Sequence, residues 1–117
     1  MRANEIIYHL SKGDNIYLND KCNIKDPLTS VWYIPHNIKE RIHPTQMPKN
    51  VVRRILEISS QEGDIILDSF MGSGTTCKVA KEMNRNYIGI EINPIYYKLA
   101  KKRINKSSSL NKFLKEN

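Results

Sequence analysis

Long apolar runs and cysteines are scarce in this 117-residue sequence. No apolar run approaches the roughly 20 residues that a transmembrane helix needs, and the N-terminal residues lack the architecture of a signal peptide. The two cysteines, Cys22 and Cys77, lie far apart and outside any Cys/His ligand spacing, which disfavours a disulfide and a zinc site. We therefore expect a cytoplasmic protein that has two idle thiols and no metal.

The overall composition favours one folded domain with a basic surplus. Hydrophobic residues make up 39% and charged residues 26%, so the balance favours neither a disordered chain nor a membrane protein. A net charge of +7 suits a polyanionic partner, although many soluble proteins that bind none share such a charge. The charge indicates nucleic acid without establishing it.

Three regions of the sequence differ in pattern. Residues 1–42 predict strands and loops, because the run NEIIYHL from Asn4 to Leu10 is rich in β-branched and aromatic residues and ends at a polar, glycine-containing turn. Residues 43–105 carry the regular patterns of helices and strands. Residues 106–117 are rich in serine, asparagine and lysine, which predicts a frayed, flexible basic tail.

The central region predicts helix, strand, helix, strand and helix in that order. The first two helices are expected from Pro48 to Ser60 and from Thr75 to Met83. The two strands are expected from Asp64 to Asp68, covered on both faces, and from Tyr87 to Ile90. Asn93 is expected to cap the third helix and Pro94 to open it. Strand, helix and parallel strand form a βαβ unit. The expected fold class is therefore α/β, with part of a Rossmann-like sheet.

The glycine-rich turn after the first strand predicts a nucleotide site. Gly72 and Gly74 would allow close approach of the backbone to a ligand, and the following helix would offer unpaired N–H groups. Glu91 follows Asp68 at about 20 positions, where an acid can accept hydrogen bonds from both ribose hydroxyls. The spacing indicates a ligand that carries a ribose.

The same turn narrows the choice of nucleotide. A P-loop would need a lysine after its last glycine, but Thr75 and Thr76 stand there instead. Asp68 at the strand end would repel a pyrophosphate and attract an ammonium group. These residues disfavour ATP and GTP and favour a ligand with a ribose and an amino-acid portion.

Three sequence blocks, HPTQMP, DSFMGSGTT and YIGIEINPIYYKLAKKRI, follow one another between His43 and Ile104. This stretch resembles the C-terminal part of the permuted, beta-class bacterial DNA methyltransferases, which modify amino groups of adenine or cytosine. Two positions depart from the family pattern, because Ser69 stands where the family usually has proline and Met47 where it often has lysine. Neither departure affects a charged or glycine position.

The resemblance implies S-adenosylmethionine as cofactor, bound by a partial Rossmann-like methyltransferase fold, with its ribose held by Glu91. It also implies two groups of residues around the rest of the cofactor, one in the glycine turn and one in the first block. They are Asp68, Phe70, Gly72, Gly74, Thr75 and Thr76 around the methionine part, and His43, Thr45 and Gln46 closing the pocket.

The family's catalytic signature, [DSN]-P-P-[YFW], does not occur, because no two prolines of this sequence are adjacent. The run Asn93 to Tyr96 resembles this signature only superficially and belongs to the cofactor block, so no catalytic residue is assigned. The family places this signature upstream of the matching stretch. We therefore expect the cofactor-binding half of a site-specific DNA methyltransferase of the restriction-modification type. It would need a complementary subunit that carries the signature, and it would act on double-stranded DNA by flipping a base, adenine in the first instance.

Two interpretations stay open beside this one. The chain could instead be a truncated, non-catalytic remnant that binds cofactor or DNA weakly. An RNA or small-molecule methyltransferase is disfavoured, because HPTQMP before the glycine turn belongs to the DNA enzymes.

The role of the basic residues in the third helix also stays open. They form either a phosphate-contacting face or only the solvated side of the helix, and they are Lys98, Lys101, Lys102, Arg103 and Lys106. Trp32 and Tyr33 are expected in the core.

Overall fold

The structure, a computed structural model, describes residues 6–13, 18–19, 31–32, 34 and 47–115, with the backbone alone from residue 107 onward. Five elements lie in this part of the chain: α1 (Lys49–Ser59), β1 (Ile65–Asp68), α2 (Thr75–Glu82), β2 (Asn86–Gly89) and α3 (Pro94–Lys115). Their order confirms the predicted α/β succession. None of the described helices combines the length and apolarity that a membrane crossing requires.

The two strands form a parallel sheet around the connecting helix α2. Ile65 lies opposite Asn86, and Asp68 lies opposite Gly89. The ladder extends beyond the strands, because the N–H of Ile90 donates to the carbonyl of Asp68 at 2.9 Å. Parallel pairing brings the carboxyl ends of both strands to one edge of the sheet, where open α/β folds bind their ligands.

The hydrophobic core lies between the sheet and the helices, with α2 in contact with both strands and with α1 and α3. One cluster joins α1 to α2, and a second joins α2 to α3 and to the loop after β1. Their members are Val52, Leu56, Val79, Ala80 and Met83 in the first, and Met71, Cys77, Ala100 and Ile104 in the second. Ile66 and Tyr87 pack against these clusters from the sheet, so the helix-covered face is the one that carries these two residues.

The opposite face of the sheet is exposed. Ile65, Leu67 and Ile88 point away from the packed residues of their strands and are 67%, 62% and 52% exposed. The prediction that the strand from Asp64 to Asp68 is covered on both faces is therefore wrong for the described residues. The physical reason is that the described helices pack against one side of the sheet, so alternate strand residues have no layer to pack against.

The ends of the central elements agree closely with the sequence patterns. Pro48 precedes the first turn of α1 in an extended conformation. Asn93 caps α3 as predicted, because its side-chain Oδ1 accepts a hydrogen bond from the N–H of Ile95 at 2.9 Å. Asn84 ends α2 in the left-handed region at φ 59°, a conformation that asparagine tolerates better than most residues.

Outside this central region, one prediction is wrong and another is not tested. Within the Asn4–Leu10 run, residues 6–10 form no strand, because no described segment provides a hydrogen-bonding partner and their side chains are exposed. The helix α3 extends into the predicted tail as far as Lys115, and the flexibility of residues 106–117 stays a prediction. No glycine or proline follows Pro94, so nothing in the sequence interrupts the helical hydrogen bonds.

Candidate functional site

Asp68 places a carboxylate at the carboxyl end of β1. Its Oδ1 accepts a hydrogen bond from the N–H of Phe70 at 3.2 Å, which turns the chain into the glycine loop. Within the described part of the chain, Oδ2 of Asp68 accepts no hydrogen bond. This oxygen can therefore meet a cationic or hydrogen-bonding group of a ligand at the strand end.

Glu91 joins the loops that follow the two strands. Its Oε2 accepts a hydrogen bond from the N–H of Gly72 at 2.9 Å, and its Oε1 accepts one from the N–H of Asn93 at 2.8 Å. Each carboxylate oxygen has two lone pairs, so both can still accept a hydrogen bond from a ligand. The structure thus brings Glu91 to the glycine turn, as predicted, and adds a structural role that the sequence pattern did not indicate.

The two glycines of the turn face different surroundings. Gly74 adopts φ 77° and precedes α2, and a Cβ added to it would lie 2.8 Å from the Cβ of Ala100. Gly72 adopts φ 49°, and a Cβ there would meet no atom within 4 Å. Gly74 is therefore required for packing against α3, whereas Gly72 leaves open space where a ligand can approach the backbone.

The first turn of α2 presents a polar group that has no partner among the described residues. The N-cap residue of α2 is Gly74, which has no side chain that could cap the helix, and no acid lies in the first turn. Thr75 is buried, yet its Oγ1 has no hydrogen-bond partner within the described residues, and Thr76 beside it is half-buried. A buried hydroxyl is normally paired, so this oxygen fits contact with a polar ligand group. Phe70, in the loop before it, is 91% exposed and leaves its ring available to cover such a ligand.

Several residues behind the turn were not predicted from the sequence. Arg103 of α3 donates from Nη1 to the carbonyl oxygen of Ser73. Gly89 of β2 lies where a Cβ would collide with the side chain of Met71 and come within 2.8 Å of the Cys77 sulfur. A glycine inside a strand is a known sign of close packing, so Gly89 was detectable in the sequence, whereas Arg103 had no local signal.

Cys77 lies beneath the site without taking part in its chemistry. Burial, and to a smaller extent charge repulsion from the nearby Asp68 carboxylate, raise the pKa of its thiol from 9.0 to about 11. The thiol is therefore protonated at neutral pH and is a poor nucleophile. This confirms the prediction of an idle thiol at Cys77.

Other predicted residues fall into three groups. His43, Thr45 and Gln46 lie outside the described residues, as do Cys22 and Tyr33. Four lysines of α3 are exposed, namely Lys98, Lys101, Lys102 and Lys106, whereas Arg103 turns towards Ser73 and does not belong with them. The half-buried Trp32 packs against the Arg54 guanidinium, which lies 4.6 Å from the ring centroid.

The chain has a parallel βαβ unit, a glycine turn that opens a helix, and an acid at or just after the end of each strand. Together these features define a partial Rossmann-like fold of the nucleotide-binding class. A family model described as DNA methylase matches residues 2–102, and the chain belongs to this family.

Named relatives and a solved structure agree with this assignment. The chain is 51% identical to the Type II methyltransferase M2.LlaDCHI of Lactococcus lactis subsp. cremoris over 57% of its own length and 25% of that relative's. It is 45% identical to the Type II methyltransferase M.HpaI of Haemophilus parainfluenzae over 65% and 26% of the two lengths. The crystal structure of an M1.HpyAVI–SAM complex matches with a TM-score of 0.53 and 45% identity, over 56% of this chain and 32% of that one. The chain thus spans about a quarter of the length of its curated relatives.

Proposed function

We propose that this chain is the S-adenosylmethionine-binding part of a DNA methyltransferase that modifies a base amino group. The observation that carries the proposal is the Glu91 carboxylate, which joins the glycine turn to the loop after β2 and keeps acceptor capacity on both oxygens. Membership of the DNA methylase family and the similarity to an M1.HpyAVI–SAM complex support it. The proposed base is adenine, with cytosine as the alternative.

The residues of the site fit this cofactor. The Asp68 carboxylate would hold its ammonium group, and Glu91 would accept hydrogen bonds from its ribose hydroxyls. The open space at Gly72, the unpartnered Oγ1 of Thr75 and the exposed ring of Phe70 lie around the same turn. When bound, S-adenosylmethionine would supply the methyl group. We propose that Thr76 lines the same pocket, and that His43, Thr45 and Gln46 close it.

The chain's own residues bind and orient but do not hold the base. The sequence has no Pro-Pro pair and therefore no [DSN]-P-P-[YFW] signature. We propose that a complementary subunit supplies this signature. The exposed apolar face formed by Ile65, Leu67 and Ile88 supports a partner, because parallel sheets in stable domains are covered on both faces. Double-stranded DNA would meet the exposed lysines of α3, and the cytoplasm is the expected location because DNA lies there.

The second candidate is a non-catalytic remnant. Two facts favour it. The chain spans about a quarter of the length of its curated relatives, and the [DSN]-P-P-[YFW] signature does not occur in it. Such a remnant would bind the cofactor or DNA weakly and would not restore activity to any partner. The two candidates therefore differ in one measurable property, which is methyl transfer in a reconstituted mixture.

Transfer of labelled methyl groups to unmethylated genomic DNA tests the proposal. We expect no turnover by this chain alone, turnover by a mixture with a polypeptide that carries the signature, and methyladenine in the digested product. Loss of a positioned second reactant costs about 7–11 kcal/mol of the barrier, which makes the lone chain inactive. Asp68→Asn should lower turnover of the mixture at least tenfold, and Glu62→Gln, at an exposed acid far from the turn, should leave it unchanged.

Two outcomes would contradict the proposal. Turnover by this chain alone would reveal a catalytic motif within it, with Asn93 to Tyr96 as the first segment to mutate. Absence of methyl transfer by the mixture, with both polypeptides folded, would favour the interpretation as a non-catalytic remnant. Methylcytosine in the product would correct only the choice of base.

A further inference from the structure

One basic residue of α3 contacts the glycine turn. Arg103 donates from Nη1 to the carbonyl oxygen of Ser73, a buried residue in the middle of the turn. Three residues earlier, Ala100 packs so closely on Gly74 that no side chain would fit there. Ile104, the next residue, also touches this position. One face of α3 therefore contacts the turn through apolar packing and a charge-assisted hydrogen bond together.

The other basic residues of α3 behave differently. Lys98, Lys101, Lys102 and Lys106 are exposed. Arg103 is half-buried and shares a helical stripe with Ala100 and Ile104, which are spaced for one face of a helix. Its guanidinium has a partner in the backbone, so it is not a member of the solvated lysine face.

The contact matters because the turn is conformationally costly to order. Gly72 and Gly74 both lie in the left-handed region, at φ 49° and φ 77°, and glycine loses more freedom on folding than any other residue. Glu91 fixes the N–H of Gly72 on one side of Ser73. Arg103 fixes the carbonyl of Ser73 itself, so the two charged groups hold the peptide units on either side of the one that joins Gly72 to Ser73.

We propose that Arg103 is a positioning residue for the cofactor turn. By holding the Ser73 carbonyl it orients the following amides of Gly74 and Thr75, which open α2. The identity of the ligand rests on the proposed function above, whereas the ordering of the turn by Arg103 does not depend on it.

Hydrogen exchange of the full 117-residue chain tests the ordering directly. In Arg103→Met, amides of residues 72–76 should exchange about tenfold faster, as expected for loss of one charge-assisted hydrogen bond, while α1 keeps its exchange rates. Arg103→Lys keeps the charge but loses the guanidinium fork, and should give about a threefold increase confined to the same amides. Lys102→Met removes an exposed charge one residue away and should leave exchange in the turn unchanged.

The outcomes separate positioning from general stability. Faster exchange in α1 and the turn alike, or no change in the turn, would overturn the proposal. If Arg103→Met does not fold, the comparison of Arg103→Lys with Lys102→Met decides, and an unchanged turn in Arg103→Lys refutes it.

A second measurement links the turn to the cofactor. Calorimetric titration with S-adenosylmethionine should show about tenfold weaker binding in Arg103→Met than in the wild-type chain. Equal affinity in both would refute positioning even if the exchange rates differ. If the wild-type chain binds no S-adenosylmethionine, the proposed function fails, and the exchange data still decide whether Arg103 orders the turn.

Discussion

The Glu91 carboxylate has a structural role beside the binding role that we propose for it. Its two oxygens hold the N–H groups of Gly72 and Asn93, which belong to the loops after β1 and β2. Both loops are thereby fixed before any ligand arrives, and a site that is already ordered loses less entropy on binding. The oxygens that hold the backbone are the ones that we propose to accept the ribose hydroxyls, so the proposed binding role would depend on the structural one.

Replacing Glu91 by alanine should weaken binding of S-adenosylmethionine at least tenfold. Each hydrogen bond from a ribose hydroxyl to a carboxylate contributes about 1.5–3 kcal/mol, and the variant also loses the two backbone contacts. Isothermal titration calorimetry measures the change, with Glu62→Ala as the control at an exposed acid outside the site. Equal affinity in wild type and Glu91→Ala would remove Glu91 from the binding site.

At the same scale, the sequence predicted the residues whose positions follow from the βαβ pattern. Asp68 and Glu91 lie at the same edge of the sheet, as expected, because Asp68 ends β1, Glu91 comes shortly after β2, and parallel strands end at one edge. Gly74 was singled out for ligand approach, which stays a prediction, and its close packing on Ala100 was not foreseen. Arg103 could not be predicted as a contact of Ser73, because that contact depends on how α3 packs and not on any local motif.

At the scale of elements, Arg85 joins the carboxyl ends of α1 and α2. Its guanidinium donates to the carbonyl of Ser60 at 2.8 Å and to the Ser60 Oγ at 3.0 Å. It also donates to the carbonyl of Met83 at 2.8 Å. The last carbonyls of a helix have no partner within the helix, so one side chain satisfies groups at two helix ends.

Arg85→Met should therefore lower the free energy of unfolding by about 2–3 kcal/mol, because it leaves part-buried carbonyls unpaired. Arg85→Lys should lower the free energy of unfolding by less, because an ammonium can still bind some of the carbonyl groups that the planar guanidinium contacts. Urea unfolding followed by circular dichroism gives both values. A loss below about 0.5 kcal/mol in Arg85→Met would show that water replaces these bonds without cost.

Element bounds were predictable where local chemistry decides them and wrong where distant contacts decide them. Pro48, Asn84 and Asn93 mark ends that capping and backbone preference alone explain. The strand expected from Asn4 to Leu10 needed a neighbour that the described chain does not supply. The tail beyond residue 106 was judged by its polar composition, although no residue in it prevents continuation of α3.

At the scale of the whole molecule, the net charge of +7 predicts DNA binding that depends on salt and not on sequence. If the four exposed lysines of α3 each neutralise one phosphate, affinity should fall on the order of a hundredfold between 50 and 200 mM salt. Lys98→Gln with Lys102→Gln should reduce the salt slope by about 2, and Lys12→Gln, exposed but outside α3, should reduce it least. Fluorescence anisotropy with labelled duplexes measures these slopes. A footprint at one DNA sequence that survives high salt would contradict this expectation, because it would show that the chain carries a sequence-specific recognition element.

The exposed face of β1 and β2 also makes the thermal stability of the chain depend on its surroundings. While Ile65, Leu67 and Ile88 face water, their burial contributes little to folding, and that free energy is gained only when another surface covers them. A molecule that binds the folded chain but not the unfolded one raises the melting temperature by mass action. If a polypeptide covers this face, as we propose, the melting temperature of this chain should rise with the concentration of that polypeptide.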